Sequence, residues 1–164
     1  MPQIILIEKS AVFSVTPARL YKALTEPKEL ARWLADRVES DPRVGGQIVI
    51  DYGTHEKRGE YRRLIRGAEV GIRWLSYEEP VPEDLTGFKI DKVANGTRVR
   101  VVDFATPEDA DEHLTLWTQR FKRLRRLLAS TAAPKKAAPK KAVKRKTAKT
   151  KAGRHPVATK RTEK

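Results

Sequence analysis

The chain has 164 residues, a formal net charge of +14 and no cysteine, which excludes disulfides, thiolate metal sites and a cysteine nucleophile. Of its 35 Lys/Arg, 13 lie from Thr131 onward beside a single acid, Glu163, so this tail carries +12 and the first 130 residues only +2. A nearly neutral stretch of that size suits one domain burying roughly two-thirds of its unfolded surface. No apolar run approaches the ~20 residues of a membrane span and no signal-peptide pattern opens the chain, so a cytoplasmic location, with nucleoid association as a variant, is expected.

Residues 3–15, QIILIEKSAVFSV, are rich in β-branched side chains and predict a first strand. Thr16-Pro17 is a helix start, Thr as N-cap and Pro in the first turn. PARLYKALTEP makes a short helix stopped by Pro27, and PKELARWLAD a second one beginning there. The pattern then turns to β. RVES leads into DPRVGG, whose two glycines tolerate positive φ. QIVIDYG places Ile48, Ile50 and Tyr52 on one side, and in AEVGIRWLSY Val70, Ile72 and Trp74 share a face. GEYRRLIRG lies between them. An acidic loop, EEPVPED, precedes TGFKIDKV, and Ala94-Asn95-Gly96 is a hairpin turn. TRVRVVDFA ends the series with Val99, Val101 and Asp103 on one face. Short turns between successive strands predict an antiparallel meander.

The last element is a long helix. Thr106 is its predicted N-cap, Pro107 its first residue, and Ala110, Leu114, Trp117, Phe121, Leu124 and Leu128 form one apolar stripe of about five turns. Acids open it, and Arg120, Lys122, Arg123, Arg125 and Arg126 are expected to close it against the macrodipole. The predicted class is α+β: a curved antiparallel sheet wrapped around a long C-terminal helix, with two short helices after the first strand and a disordered basic tail.

This order resembles the helix-grip fold of the SRPBCC or START-like superfamily, in the branch related to the activator of heat-shock protein 90 ATPase. VTPARLYKALTEPKELARWL is similar to its opening, VGGQIVI to the glycine pair before its third strand, and RGEYRRLI, AEVGIRWLSY and NGTRVRVVDF follow in the family's order. Coverage is roughly residues 5–129, giving a domain at 1–130 and a tail at 131–164. The last strand in this branch often carries a polar or His residue where this chain has Asp103.

The resemblance implies a cavity between helix and sheet. Its inward candidates are Trp33, Tyr52, Tyr61, Trp74, Phe88, Asp103, Trp117 and Phe121, lining a pocket for a small apolar or amphipathic molecule oriented by Asp103 and a tyrosine hydroxyl. The plainer reading is that these aromatics fill the core. A buried Asp103 would need a partner such as Arg73 or a tyrosine hydroxyl, whereas at a strand end it would be solvated.

Catalysis has little support. His55, His113 and His155 form no metal-ligand spacing, no serine sits in a nucleophile elbow, and no phosphate-cradling glycine pattern is present. No metal or cofactor is expected, and Glu78-Glu79 with Glu83-Asp84 read as a solvated loop. Lys57, Arg58, Arg62, Arg63 and Arg66 share one hairpin and read as a solvated face balanced by nearby acids, phosphate contact being the alternative.

The tail repeats AAPKK at 132–136 and 137–141. Proline, like-charge repulsion and the scarcity of apolar residues keep such a segment unfolded. In composition it is similar to tails of linker histones and lysine-rich nucleoid proteins. Lys135, Lys136, Lys140, Lys141, Lys144, Arg145, Lys146, Lys149, Lys151 and Arg154 are candidates for sequence-independent nucleic-acid contact by counterion release. Three functions therefore compete. One is a non-enzymatic domain, ligand-binding or chaperone-like, with a polyanion-binding tail. The second is a nucleic-acid-associated protein whose domain only positions the tail, and the weakest is an enzyme of the cyclase or hydrolase sort.

Overall fold

The computed structural model describes residues 3–75 and 85–132. The acidic pairs at 78–84 and the tail cations Lys135 to Arg154 lie outside the described residues. The chain divides into two units after Ala132, and the elements below belong to the first.

They run β1 (Ile5–Phe13), α1 (Pro17–Thr25), α2 (Pro27–Trp33), β2 (Arg37–Ser40), β3 (Gln47–Asp51), β4 (Glu56–Ile65), β5 (Glu69–Trp74), β6 (Leu85–Val93), β7 (Gly96–Ala105) and α3 (Ala110–Ala132). Seven antiparallel strands in the order β1-β7-β6-β5-β4-β3-β2 form one curved sheet, and α3 packs on it with α1 and α2. This is the expected helix-grip arrangement. The meander puts β2 to β7 side by side, while β1 crosses over to pair with β7 from Ile5↔Ala105 to Phe13↔Thr97.

Local chemistry sets the boundaries. The Thr16 hydroxyl accepts from the Arg19 amide at 3.2 Å and Pro17 opens α1. Glu26 ends α1 and, with Pro27, starts α2, because proline offers no amide to continue the first helix. The alternation expected in β3 and β7 holds: Ile48, Ile50, Val99, Val101 and Asp103 are all buried. The four apolar ones join Leu20, Leu24, Leu30 and Trp33 from the short helices and Trp117, Phe121, Leu124 and Leu128 from α3 in a single core. Leu127 is also buried, so the stripe widens to an i, i+3, i+4 face where α3 lies deepest.

Three details differ from expectation. In the turn before β3 only Gly45 has positive φ, at 85°. Gly46 is needed for space instead, since a Cβ there would run into the Asp41 carbonyl oxygen. Next, α3 does not start at Pro107. The Asp109 amide bonds back to the Thr106 carbonyl at 3.1 Å, a tight i−3 turn, and i−4 bonding begins with His113 to Asp109 at 2.9 Å. Finally, α3 runs on to Ala132 and has no basic residue in its last turn. The macrodipole acts only within about a turn of the end, so the cluster from Arg120 to Arg126 does not compensate it. The end is held by other means: the Arg19 Nη2 donates to Thr131 Oγ1 at 2.9 Å and to Glu29 Oε2 at 3.0 Å.

Candidate functional site

Asp103 is the centre of a buried polar chain. It sits near the end of β7, only 8% exposed, on the face that meets α3. Its Oδ2 accepts from Trp117 Nε1 at 2.9 Å. Its Oδ1 accepts from Thr86 Oγ1 at 2.7 Å and from the Phe104 amide at 3.0 Å. Thr86 in turn accepts from Trp74 Nε1 at 2.6 Å. The partners are neither Arg73 nor a tyrosine, and Asp103 is not solvated. A carboxylate is acceptor-only, and all three of its partners donate. Register explains the choice. Gly87 pairs with Val102, so Thr86 stands one step along, across from Asp103. Trp117 reaches in from the helix stripe.

Around this chain the aromatics form a wall. Trp74 packs over Gly59, where a Cβ would lie 2.8 Å from the Trp74 ring, so glycine is what lets β4 approach the indole. Lys57 Nζ lies 4.3 Å from the centroid of the Trp74 ring. Phe88 meets Trp117 edge to face at 5.6 Å. One turn along α3, the Arg120 guanidinium lies over two rings at once, 4.8 Å from the Trp117 centroid and 5.2 Å from that of Tyr52. Tyr52 in turn stacks with His55 at 5.0 Å. Burial pushes the Tyr52 hydroxyl pKa up; Arg120 pulls it down and Asp103 pushes it further up.

Two spaces meet here. An inner cavity of about 30 Å³ is enclosed by Leu34, Ile50, Tyr52, Lys57, Ile72, Trp74, Thr86, Phe88, Asp103, Trp117 and Arg120. That is room for roughly one water molecule, far below the ~300 Å³ at which small-molecule pockets begin. Outside it lies an open groove of about 510 Å³, between the β3–β4 turn and the start of α3. Its walls are Tyr52, His55, Lys57, Asp103, Asp109, Glu112, His113, Leu116 and Arg120. Tyr52, Lys57, Asp103 and Arg120 border both spaces.

Five sequence candidates therefore come together: Tyr52, Trp74, Phe88, Asp103 and Trp117. The other three are placed elsewhere. Trp33 is sealed in the core, its Nε1 donating to the Ala23 carbonyl at 2.8 Å. Tyr61 is fully buried with its hydroxyl 2.8 Å from Ser40 Oγ. Phe121 packs edge to face on Phe13 at 6.0 Å, deeper along α3. All three face inward, but none of them lines the inner cavity or the groove. Arg120 and Thr86 were missed. Both were findable, Arg120 as the i+3 neighbour of Trp117 and Thr86 from strand register; Lys57 stands out in the sequence only as one of the basic hairpin cluster.

Three of the five cations on this hairpin are balanced by acids, whereas Lys57 turns to the Trp74 ring. Arg58 pairs with Glu56 at 2.6 Å, Arg62 with Glu60 at 3.1 Å and Arg63 with Glu69 at 3.2 Å. Among the described residues no group of three or more His, Cys, Asp or Glu is placed to hold a metal ion, and no helix is long and apolar enough to cross a membrane.

Residues 14–129 match a family model described as activator of Hsp90 ATPase homolog 1-like protein. Among solved structures, a protein from Mesorhizobium loti is 21% identical, with a TM-score of 0.65 over 79% of this chain and 98% of its own. The Aha1 dimer from Colwellia psychrerythraea is 20% identical, with a TM-score of 0.65 over 74% of this chain and 93% of that one. A Chromobacterium violaceum protein is 25% identical, with a TM-score of 0.60 over 74% and 95%. No curated protein matches the chain.

Proposed function

This chain belongs to the family of activator of Hsp90 ATPase homolog 1-like proteins, and on that footing we propose that its domain is a non-enzymatic binder of a small amphipathic molecule, held in the groove at the open end of the sheet. One observation carries the reading: the Trp74–Thr86–Asp103–Trp117 chain fixes a rigid aromatic and polar floor beneath an open groove. The inner cavity is too small to enclose a ligand, so the ligand lies along the groove against Tyr52 and Leu116, with polar groups at hand from Arg120, Lys57 and the two histidines. Leu116 is 37% exposed, an apolar surface that such a ligand would cover.

Native mass spectrometry of the chain, purified without denaturation, tests this. A small-molecule adduct is expected, and Trp74→Ala should reduce it by opening the floor. A chain that carries no adduct, and retains none when offered amphiphiles, would remove the reading.

A second reading concerns the tail, as a polycation that associates with nucleic acid without reading bases. What favours it is the helix leading into it. Lys122, Arg123 and Arg126 on α3 are exposed and make no ion pair among the described residues, so the domain's last helix presents unneutralised charge next to a segment of +12. Binding to duplex DNA should weaken with salt at a slope of about −0.9 per phosphate neutralised. Removal of residues 133–164 should flatten that slope. Equal slopes with and without those residues would assign the binding elsewhere.

A further inference from the structure

We propose that Arg120 is the anion anchor of the groove and that the occupant is an amphiphile with an oxyanion head; this rests on the ligand reading above and names its chemical class. The guanidinium carbon lies 5.2 Å from the centroid of the Tyr52 ring and 4.8 Å from that of Trp117, so two rings fix where the charge sits. A cation–π contact uses the charge and leaves the N–H donors unspent. Among the described residues Arg120 makes no ion pair or hydrogen bond, although Asp103, Asp109 and Glu112 share the groove with it. Two of these acids are engaged otherwise. Asp103 accepts from three donors, and Asp109 accepts from Thr106 Oγ1 at 2.9 Å.

An oriented fork of N–H donors at the border of an aromatic cavity matches the two oxygens of a carboxylate or phosphate. Lys57 lines the same groove and brings a second cationic side chain to it, and the ring nitrogens of His55 and His113 offer further hydrogen-bonding groups. The apolar body then runs toward Leu116, because the inner cavity of about 30 Å³ cannot admit it.

The test is a fluorescence titration of the full chain. Two of its three tryptophans, Trp74 and Trp117, border the site, so emission reports occupancy of the groove and not association with the tail. Three probes share one ten-carbon chain: decanoate, decyl phosphate and decyltrimethylammonium. One or both anionic probes should bind saturably, and whichever binds more tightly identifies the head group. Arg120→Gln should weaken that binding roughly tenfold or more, the value of a charge-assisted pair of hydrogen bonds. Arg120→Lys, which keeps the charge but loses the fork and much of the stacking, should fall between. Binding of the cationic probe should not be weakened by either variant. Anionic binding that is unchanged in Arg120→Gln, or a cationic probe that binds best to the wild-type chain, overturns the anchor while leaving the ligand reading intact. If no probe binds, the ligand reading falls and the anchor with it.

Discussion

Asp103→Ala should destabilise the domain by about 3–5 kcal/mol, a large share of the ~5–15 kcal/mol typical of a whole domain. The substitution removes the one acceptor shared by Trp117 Nε1, Thr86 Oγ1 and the Phe104 amide. Each donor left buried without a partner costs about 1–3 kcal/mol, and the sum is discounted because the inner cavity can admit roughly one water. Asp103→Asn should cost less, since its carbonyl oxygen can still serve Thr86 and Phe104, but its amide then faces the Trp117 N–H donor to donor. Urea unfolding measures the loss. Combining Asp103→Ala with Trp117→Phe should give less than the sum of the two single effects, because the second change removes an orphaned donor. An Asp103→Ala loss under 1 kcal/mol would mean that water replaces the carboxylate freely, and the rigid floor would not exist.

The second large effect is at alkaline pH. Burial pushes the Tyr61 hydroxyl up to about 12 from its ordinary 10.0. Its hydroxyl lies 2.8 Å from Ser40 Oγ, a hydrogen bond that pulls the pKa partly back down, while Tyr21 and Asp41 push it further up. A group whose folded pKa is raised contributes stability that is fully present below its unfolded pKa and is lost as pH rises through the folded one. Between pH 10 and 12 the unfolded chain gives up this proton and the folded chain keeps it. Stability should therefore fall by about 1.4 kcal/mol per pH unit from this residue alone, roughly 2–3 kcal/mol in all. Tyr21 and Tyr52 are also raised by burial and act in the same direction. Tyr61→Phe should cost about 1 kcal/mol at neutral pH, from the lost hydrogen bond, and should make the alkaline decline shallower. A decline just as steep in Tyr61→Phe would locate the titration elsewhere.

Much of this architecture was legible because face and period are local properties. Ile48 and Ile50, or Val99, Val101 and Asp103, alternate in the chain as they alternate in the sheet. Thr16-Pro17 and Glu26-Pro27 mark helix starts through chemistry confined to a few atoms. The groove was legible only in part, because period tells which side a residue faces and not how far along the layer it sits. Trp33, Tyr61 and Phe121 face inward as truly as Tyr52 and Trp74, and only the three-dimensional path of the chain puts the first three in the core. Arg120 was hidden differently. Within RFKRLRR it counts as one more charge in a run; its spacing from Trp117 is local, but the Tyr52 ring that completes its setting comes from a turn nearly seventy positions earlier.

The pairing of β1 with β7 also bears on how the molecule is made. Ile5 finds its partner about a hundred residues later, at Ala105, so the first strand synthesised is among the last to be seated. A nascent chain must carry Ile5, Ile7 and Phe13 uncovered while the meander assembles ahead of it. Such long-range closure places folding toward the slow, milliseconds-to-seconds end of the scale for small domains and prolongs the exposure of a sticky N-terminal segment. Lys9, in the middle of that edge strand on the same inward-facing series as Ile7 and Ala11, is a charge well placed to discourage a further strand from adding to β1's open edge.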